Sequence, residues 1–132
     1  MPEQPAAPGT SFLVRFAGDA VTFNAGQRVF NEGDPGDVMY VVRSGEVDIV
    51  VGDEVVETIG TGGIFGEMAL IEQDRRSASA VAQTDCELVP INENRFKFLV
   101  QQTPFFAIEV MRIMAHRLRQ MDARTREHPV RP

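Results

Sequence analysis

The residues with the clearest capacity for chemistry lie in two neighbouring runs, Gly62-Gly63-Ile64-Phe65-Gly66-Glu67-Met68-Ala69-Leu70-Ile71 and Arg75-Arg76-Ser77-Ala78-Ser79. A Gly-rich turn opens directly into Glu67 to Ile71, good helix formers but too few to propagate a helix alone. Amides at the start of such a turn lack intrahelical partners and attract phosphate oxygens. Gly66 lets the backbone approach a ligand with no Cβ between them. Arg76 is placed to clamp the same phosphate, and Ser77 to add a hydroxyl donor. Glu67 does not fit a bare phosphate, because a carboxylate repels it. A sugar hydroxyl, which donates a hydrogen bond, removes the conflict. The stretch therefore asks for a ligand that holds a phosphate and a sugar hydroxyl close together. The plainer alternative is that Arg75 and Arg76 are surface charges near Asp74 and Glu72.

The elements that must position these residues are short. From Val21 to Ile91, β-type runs are separated by Gly, Pro, Asp and Asn. Strands are expected at Val21-Thr22-Phe23, Val29-Phe30, Val38 to Val42, Val47 to Val51, Val55 to Ile59, Ala78 to Ala82 and Cys86 to Ile91. Val38 to Val42 is nearly continuously apolar and suits a strand buried on both faces. Val47, Ile49 and Val51 alternate with Glu46, Asp48 and Val50, which breaks the pattern once, and Gly52-Asp53 reads as a two-residue hairpin turn. Many short antiparallel strands point to a sandwich or jelly-roll barrel. Then the period changes. Asn92 caps a helix with Phe96, Leu99 and Val100 on one face. Thr103-Pro104 starts a second helix, about 104–126, with Ile108, Met111, Ala115 and Leu118 on one line and Val110, Met114 and Met121 beside it. It is expected to pack at its N-terminal half and project at its C-terminal half.

A chain of 132 residues fits one domain, read as a mobile Pro-, Ala- and Gly-rich tail (1–10) followed by a domain over 11–132. No apolar run approaches the roughly 20 residues of a membrane span, and no signal-peptide pattern stands at the start. Cys86 alone forms no internal disulfide; it suits a cytoplasmic protein and reads as an inert core thiol. From Arg112 onward six Arg stand against Asp122 and Glu127, a balance of +4, while the rest has seven basic and seventeen acidic residues, a balance of −10. So acidic a body is a poor partner for nucleic acid. The basic end suits an acidic partner or, more plainly, a solvated helix complementing its own dipole.

At these residues the chain resembles the cyclic-nucleotide-binding domain family, found in catabolite-activator-type regulators, cyclic-nucleotide-dependent kinases and cyclic-nucleotide-gated channels. Phe65-Gly66-Glu67, Leu70 and Arg76-Ser77-Ala78 match the family's phosphate-binding cassette. Gly33-Asp34, Gly36-Asp37, Tyr40 and Ser44-Gly45-Glu46-Val47 match its upstream strand-and-turn signature. The likeness runs from about Gly18 to Met121. It implies an eight-stranded β jelly-roll (double-stranded β-helix) barrel with a short cassette helix and C-terminal helices; the chain reads either as a free-standing, bacterial-like version or as a domain excised from something larger. It implies that Glu67 accepts from the ribose 2′-hydroxyl, that Arg76 pairs with the cyclic phosphate, and that Gly66, Met68 and Ala69 offer backbone contacts beside the Ser77 hydroxyl. Arg75 stands where the family often has Pro, and the Ser-Ala-Ser that follows assigns the clamp to Arg76. Ser77 is compatible with cAMP or cGMP; cAMP is favoured, because most bacterial relatives use it. No other cofactor and no metal is expected.

The resemblance also implies a mechanism, in which the phosphate draws the cassette inward and the C-terminal helices swing over the base. Phe105 and Phe106 are expected to anchor the long helix beside a Thr-Pro hinge. Met114, Arg117, Leu118 and Met121 are the candidates for capping the base. The Met and Leu stripe equally suits a homodimer or a partner protein. The chain ends at Pro132, where activator relatives continue into a DNA-reading module, and its short N-terminus lacks the upstream membrane helices of channel relatives, so neither DNA nor a membrane is an expected partner. A cupin-like enzyme is the rival from another class, but His116 and His128 fall in and after the last helix, away from any barrel strand. No Ser-His-Asp set can be assembled. The expectation is a receptor rather than an enzyme, with a ligand-independent dimerisation module as the other alternative.

Overall fold

Among the described residues the alternating runs become eight strands: β1 (Val21–Phe23), β2 (Arg28–Phe30), β3 (Val38–Ser44), β4 (Val47–Val51), β5 (Glu54–Ile59), β6 (Ile64–Phe65), β7 (Ser79–Ala82) and β8 (Cys86–Asn92). Helix α1 (Glu67–Glu72) follows β6, and α2 (Glu93–Gln102) and α3 (Pro104–Glu127) follow β8. The computed structural model describes residues 18–72 and 74–127; the expected tail and His128 lie outside the described residues. The strands form two antiparallel four-stranded sheets, ordered β1-β8-β3-β6 and β2-β7-β4-β5, the face-to-face arrangement of a jelly roll.

The first sheet is the middle layer, and β3 shows why. Met39 and Val41 point to one side, into a core shared with Leu70 of α1, Leu99 of α2 and Phe106 and Val110 of α3. Val42 points the other way, into the inter-sheet core with Val47, Ile59, Phe65 and Leu88. A strand with covered faces on both sides has little room for polar side chains, which accounts for its apolar run. Strand β8 repeats the device, with Cys86 and Leu88 on the inter-sheet side and Val89 and Ile91 under the helices. Burial pushes the Cys86 thiol up from its ordinary value, helped by Asp85, which keeps it an unreactive core group.

Val51 pairs with Glu54 across the Gly52-Asp53 turn, and the register slips between Ile49 and Val50, leaving Val56 as the extra residue of a bulge. The bulge is confined to β5, since β4 keeps regular register with β7 through Val50, which pairs with Ser79. The Asn92 side chain accepts from the Arg95 amide at 2.8 Å and caps α2. At the elbow between α2 and α3, the Thr103 amide donates to Leu99 and the Phe106 amide to Thr103, both at 2.8 Å. Only one of the paired phenylalanines anchors α3: Phe106 is fully buried, whereas Phe105 is half exposed. The apolar line of Ile108, Met111, Ala115 and Leu118 is the outward side of α3. Its inward side carries Phe106, Val110, Ile113 and Met114, together with a buried Glu109 held by Arg112 at 2.7 Å.

Candidate functional site

Strand β6 pairs with β3 through Tyr40↔Phe65 and Val41↔Ile64, then passes through Gly66 into α1. Gly66 has φ +78, and a Cβ there would sit 2.6 Å from Nη1 of Arg76. Both facts require glycine. Glu67 opens α1 and is buried, at 6% exposure.

Arg76 lies between α1 and β7 and is fixed first by its backbone. Its amide donates to the Asp34 carbonyl and its own carbonyl accepts from the Gly33 amide, both at 2.8 Å. The Gly33-Asp34 turn between β2 and β3 therefore serves as the dock for the cassette. The side chain turns inward: Nη1 donates to the Gly66 carbonyl at 3.0 Å and Nη2 to the Val38 carbonyl at 2.7 Å. The guanidinium lies 4.0 Å over the Phe30 ring, which packs with the stacked rings of Tyr40 and Phe65. A Cβ on Gly36 would come within 2.3 Å of Nε, so Gly36 closes the cradle by having none. Arg75 stays outside, exposed and donating to the Gly33 carbonyl at 3.0 Å.

Among the described residues, Arg76 thus meets neutral carbonyls and a ring and forms no ion pair with a carboxylate. Burial pulls its pKa down from the ordinary value, opposed by Tyr40, Asp37, Asp34 and Glu67. Burial also raises the Tyr40 hydroxyl, against the pull of Arg76. Nε is buried with no hydrogen-bond partner among the described residues. A buried cation with an unused donor favours an anion such as phosphate.

Glu67 has a cation already. Nη1 of Arg117, reaching in from α3, lies 2.7 Å from its Oε1, and Nη2 donates to the Ile64 carbonyl at 2.7 Å. Nε of the same guanidinium faces Oε2 of Glu57 on β5 at 3.2 Å, an ion pair without hydrogen-bond alignment. One arginine therefore ties the last helix to the cassette and to the second sheet.

The eight cassette residues expected at a binding site (Phe65, Gly66, Glu67, Met68, Ala69, Arg76, Ser77 and Ala78) all line one cavity of about 120 Å³. Of the four capping candidates, Arg117 alone lines it. Met114 packs on the helix-side core, while Leu118 and Met121 are exposed farther along α3. Phe30, Ile49, Glu57 and Ile59 also line the cavity, and sequence reading did not single them out. For Glu57 a signal existed: it stands two residues before the core-facing Ile59 on the same strand, so period two turns it inward. Phe30 is a strand residue like any other until Arg76 is found above it.

Residues 20–103 match the cyclic nucleotide-binding domain family. The cyclic AMP receptor protein of Thermus thermophilus is 36% identical over 102 residues, covering 74% of this chain and 47% of the receptor. The crystal structure of Thermus thermophilus catabolite activator protein is similar with TM-score 0.73 at 32% identity, covering 89% of this chain and 58% of that one. A solved protein from a cyclic-GMP-dependent signalling pathway of bacterial phytopathogenesis gives TM-score 0.72 at 30% identity, covering 88% and 95%. The chain spans about half the length of the receptor it matches. No helix among the described residues is long and apolar enough to cross a membrane. The family match begins just before β1 and ends at Thr103, so it takes in both sheets, the dock, the cassette and every contact of Arg76. The chain belongs to the cyclic nucleotide-binding domain family.

Proposed function

We propose that the chain is a cytoplasmic cyclic-nucleotide receptor, cAMP preferred over cGMP, whose C-terminal helix reorients when ligand binds, and that it regulates rather than catalyses. The observation that carries this reading is the sharing of Glu67: the carboxylate suited to a ribose hydroxyl is already held by Arg117 of α3 at 2.7 Å. A cavity of about 120 Å³ is smaller than the roughly 300 Å³ at which ligand pockets begin. Entry of a nucleotide therefore asks Arg117, and with it α3, to shift. Arg76 and Ser77 take the phosphate, Glu67 the ribose, and movement of Arg117 reports occupancy to the helix. The name of the Thermus cyclic AMP receptor protein supports the preference for cAMP, and that of the catabolite activator protein supports a regulatory role.

Calorimetric titration with cAMP and cGMP tests the binding, and hydrogen exchange tests the motion. Ligand is expected to change protection across α3 in the wild type. In Arg117→Ala that change disappears, while affinity moves by less than about tenfold, because the phosphate clamp is intact. Unchanged protection after Pro104 in ligand-bound wild type removes the helix movement and leaves the binding.

The outward line of Ile108, Met111, Ala115 and Leu118, flanked by Met121, favours a second element of the same proposal, homodimerisation along α3. Light scattering is expected to give a dimer at micromolar concentration. A monomer at every concentration assigns the stripe to another protein.

A further inference from the structure

Among the described residues five polar side chains line the cavity: Glu57, Glu67, Arg76, Ser77 and Arg117. The reading above, on which this inference rests, gives Arg76 and Ser77 to the phosphate and Glu67 to the ribose. Two remain for the base. Arg117, whose three nitrogens turn toward Glu67, Ile64 and Glu57, is the group that nucleotide entry displaces and so is no fixed part of the base site. Glu57 is different. Among the described residues its one polar partner is Arg117, and its side chain is 32% exposed. A carboxylate offers about four acceptor positions over its two oxygens, so capacity is left over.

Place decides what it would meet. One guanidinium spans the gap between Glu67 and Glu57. On a ribose, the carbon bearing the 2′-hydroxyl is bonded to the carbon bearing the base. A base on a ribose held at Glu67 therefore comes within reach of Glu57. The wall beside it suits a purine face: Ile49 is the cross-strand partner of Glu57, and Ile59 shares its strand face. The second sheet thus presents two branched apolar side chains and one acceptor to the base.

An ionised carboxylate accepts and never donates. Adenine carries a single exocyclic group, the amino group at C6, which donates. Guanine carries a carbonyl oxygen at C6, which a carboxylate repels. We propose that Glu57 is a specificity-determining residue that accepts a hydrogen bond from the C6 amino group of adenine and disfavours a C6 carbonyl. A site built around an acceptor rejects an analogue lacking the donor far better than an apolar pocket rejects a change of size.

The test uses three probes, cAMP, cGMP and cyclic inosine monophosphate, titrated into wild type, Glu57→Gln and Glu57→Ala. Inosine has the C6 carbonyl of guanine without its amino group. Wild type is expected to prefer cAMP over both others. In Glu57→Gln the cAMP-to-cGMP affinity ratio is expected to fall by about tenfold, because a carboxamide can turn either its oxygen or its nitrogen to the base. The inosine nucleotide should move with cGMP. If Glu57 only supports Arg117, all three affinities change together and the ratio stays within about twofold, which overturns the proposal. A wild type that prefers cGMP, with the preference lost in Glu57→Gln, also overturns it and assigns the carboxylate to the guanine N1 and amino edge. No binding of any probe to folded, nucleotide-free wild type sinks the receptor reading and this proposal with it.

Discussion

Arg76→Ala is expected to weaken cyclic-nucleotide binding by roughly tenfold to a few hundredfold and to lower folding stability by about 1–3 kcal/mol in the same protein. The binding loss follows from charge: Arg76 brings a buried guanidinium to the cavity, and among the described residues its Nε has no hydrogen-bond partner. The stability loss is a correction to what sequence suggests. As a ligand clamp, Arg76 reads as a side chain outside the core whose removal spares folding. It is 6% exposed, bonded to the Gly66 and Val38 carbonyls, and stacked on Phe30. Truncation leaves two carbonyls without their donors and opens space between Phe30 and Gly36. Arg76→Lys separates the roles, since it keeps the charge but cannot fork to both carbonyls and ligand together. Thermal melts without nucleotide, beside calorimetric titrations, measure both losses. Affinity unchanged in Arg76→Ala would remove the phosphate clamp from this site. Unchanged melting would mean that water replaces the guanidinium at both carbonyls.

The seven longer strands and the two C-terminal helices are legible from sequence because each has a local signature. Val21-Thr22-Phe23 and Val47 to Val51 are bounded by turn residues, Asn92 caps α2, and Thr103-Pro104 starts α3. Strand β6 is not legible as a strand: two residues inside a Gly-rich stretch have no period, and only pairing with Tyr40 and Val41 makes Ile64–Phe65 one. The cassette is legible because its residues are close in sequence. What its members touch is not. Arg117 meets Glu67 fifty positions away, and Glu57 faces it from the second sheet. On α3, helical spacing gives the lines of side chains but not which line faces inward. Ile108, Met111, Ala115 and Leu118 form a proper line on the outer side, while the buried side accepts Glu109, which no rule of hydrophobic spacing would place there.

The same ambiguity makes Phe105 and Phe106 a controlled pair. Phe106→Ala is expected to cost about 3–5 kcal/mol, whereas Phe105→Ala should cost under about 1 kcal/mol. Phe106 is fully buried in the helix-side core with Met39, Val41, Ile91 and Leu99, and meets Phe96 edge to face at 5.5 Å. Phe105 is 46% exposed, under Arg112 at 5.5 Å, and keeps water on one side whether or not its ring is present. Against a typical domain stability of roughly 5–15 kcal/mol, the Phe106 loss is large enough to read directly in urea melts. It bears on function because Phe106 stands one turn past the Thr103 elbow and seats α3 against the sheet, while Arg117 lies three turns farther on. A cavity at Phe106 loosens the base of the lever that carries Arg117. Hydrogen exchange along α3 should therefore speed up in Phe106→Ala without ligand, and the ligand-dependent change in protection should shrink. Equal losses in the two variants would mean that α3 is held mainly by Arg117 at the cassette, and the pivot would then belong at Arg117 rather than at the elbow.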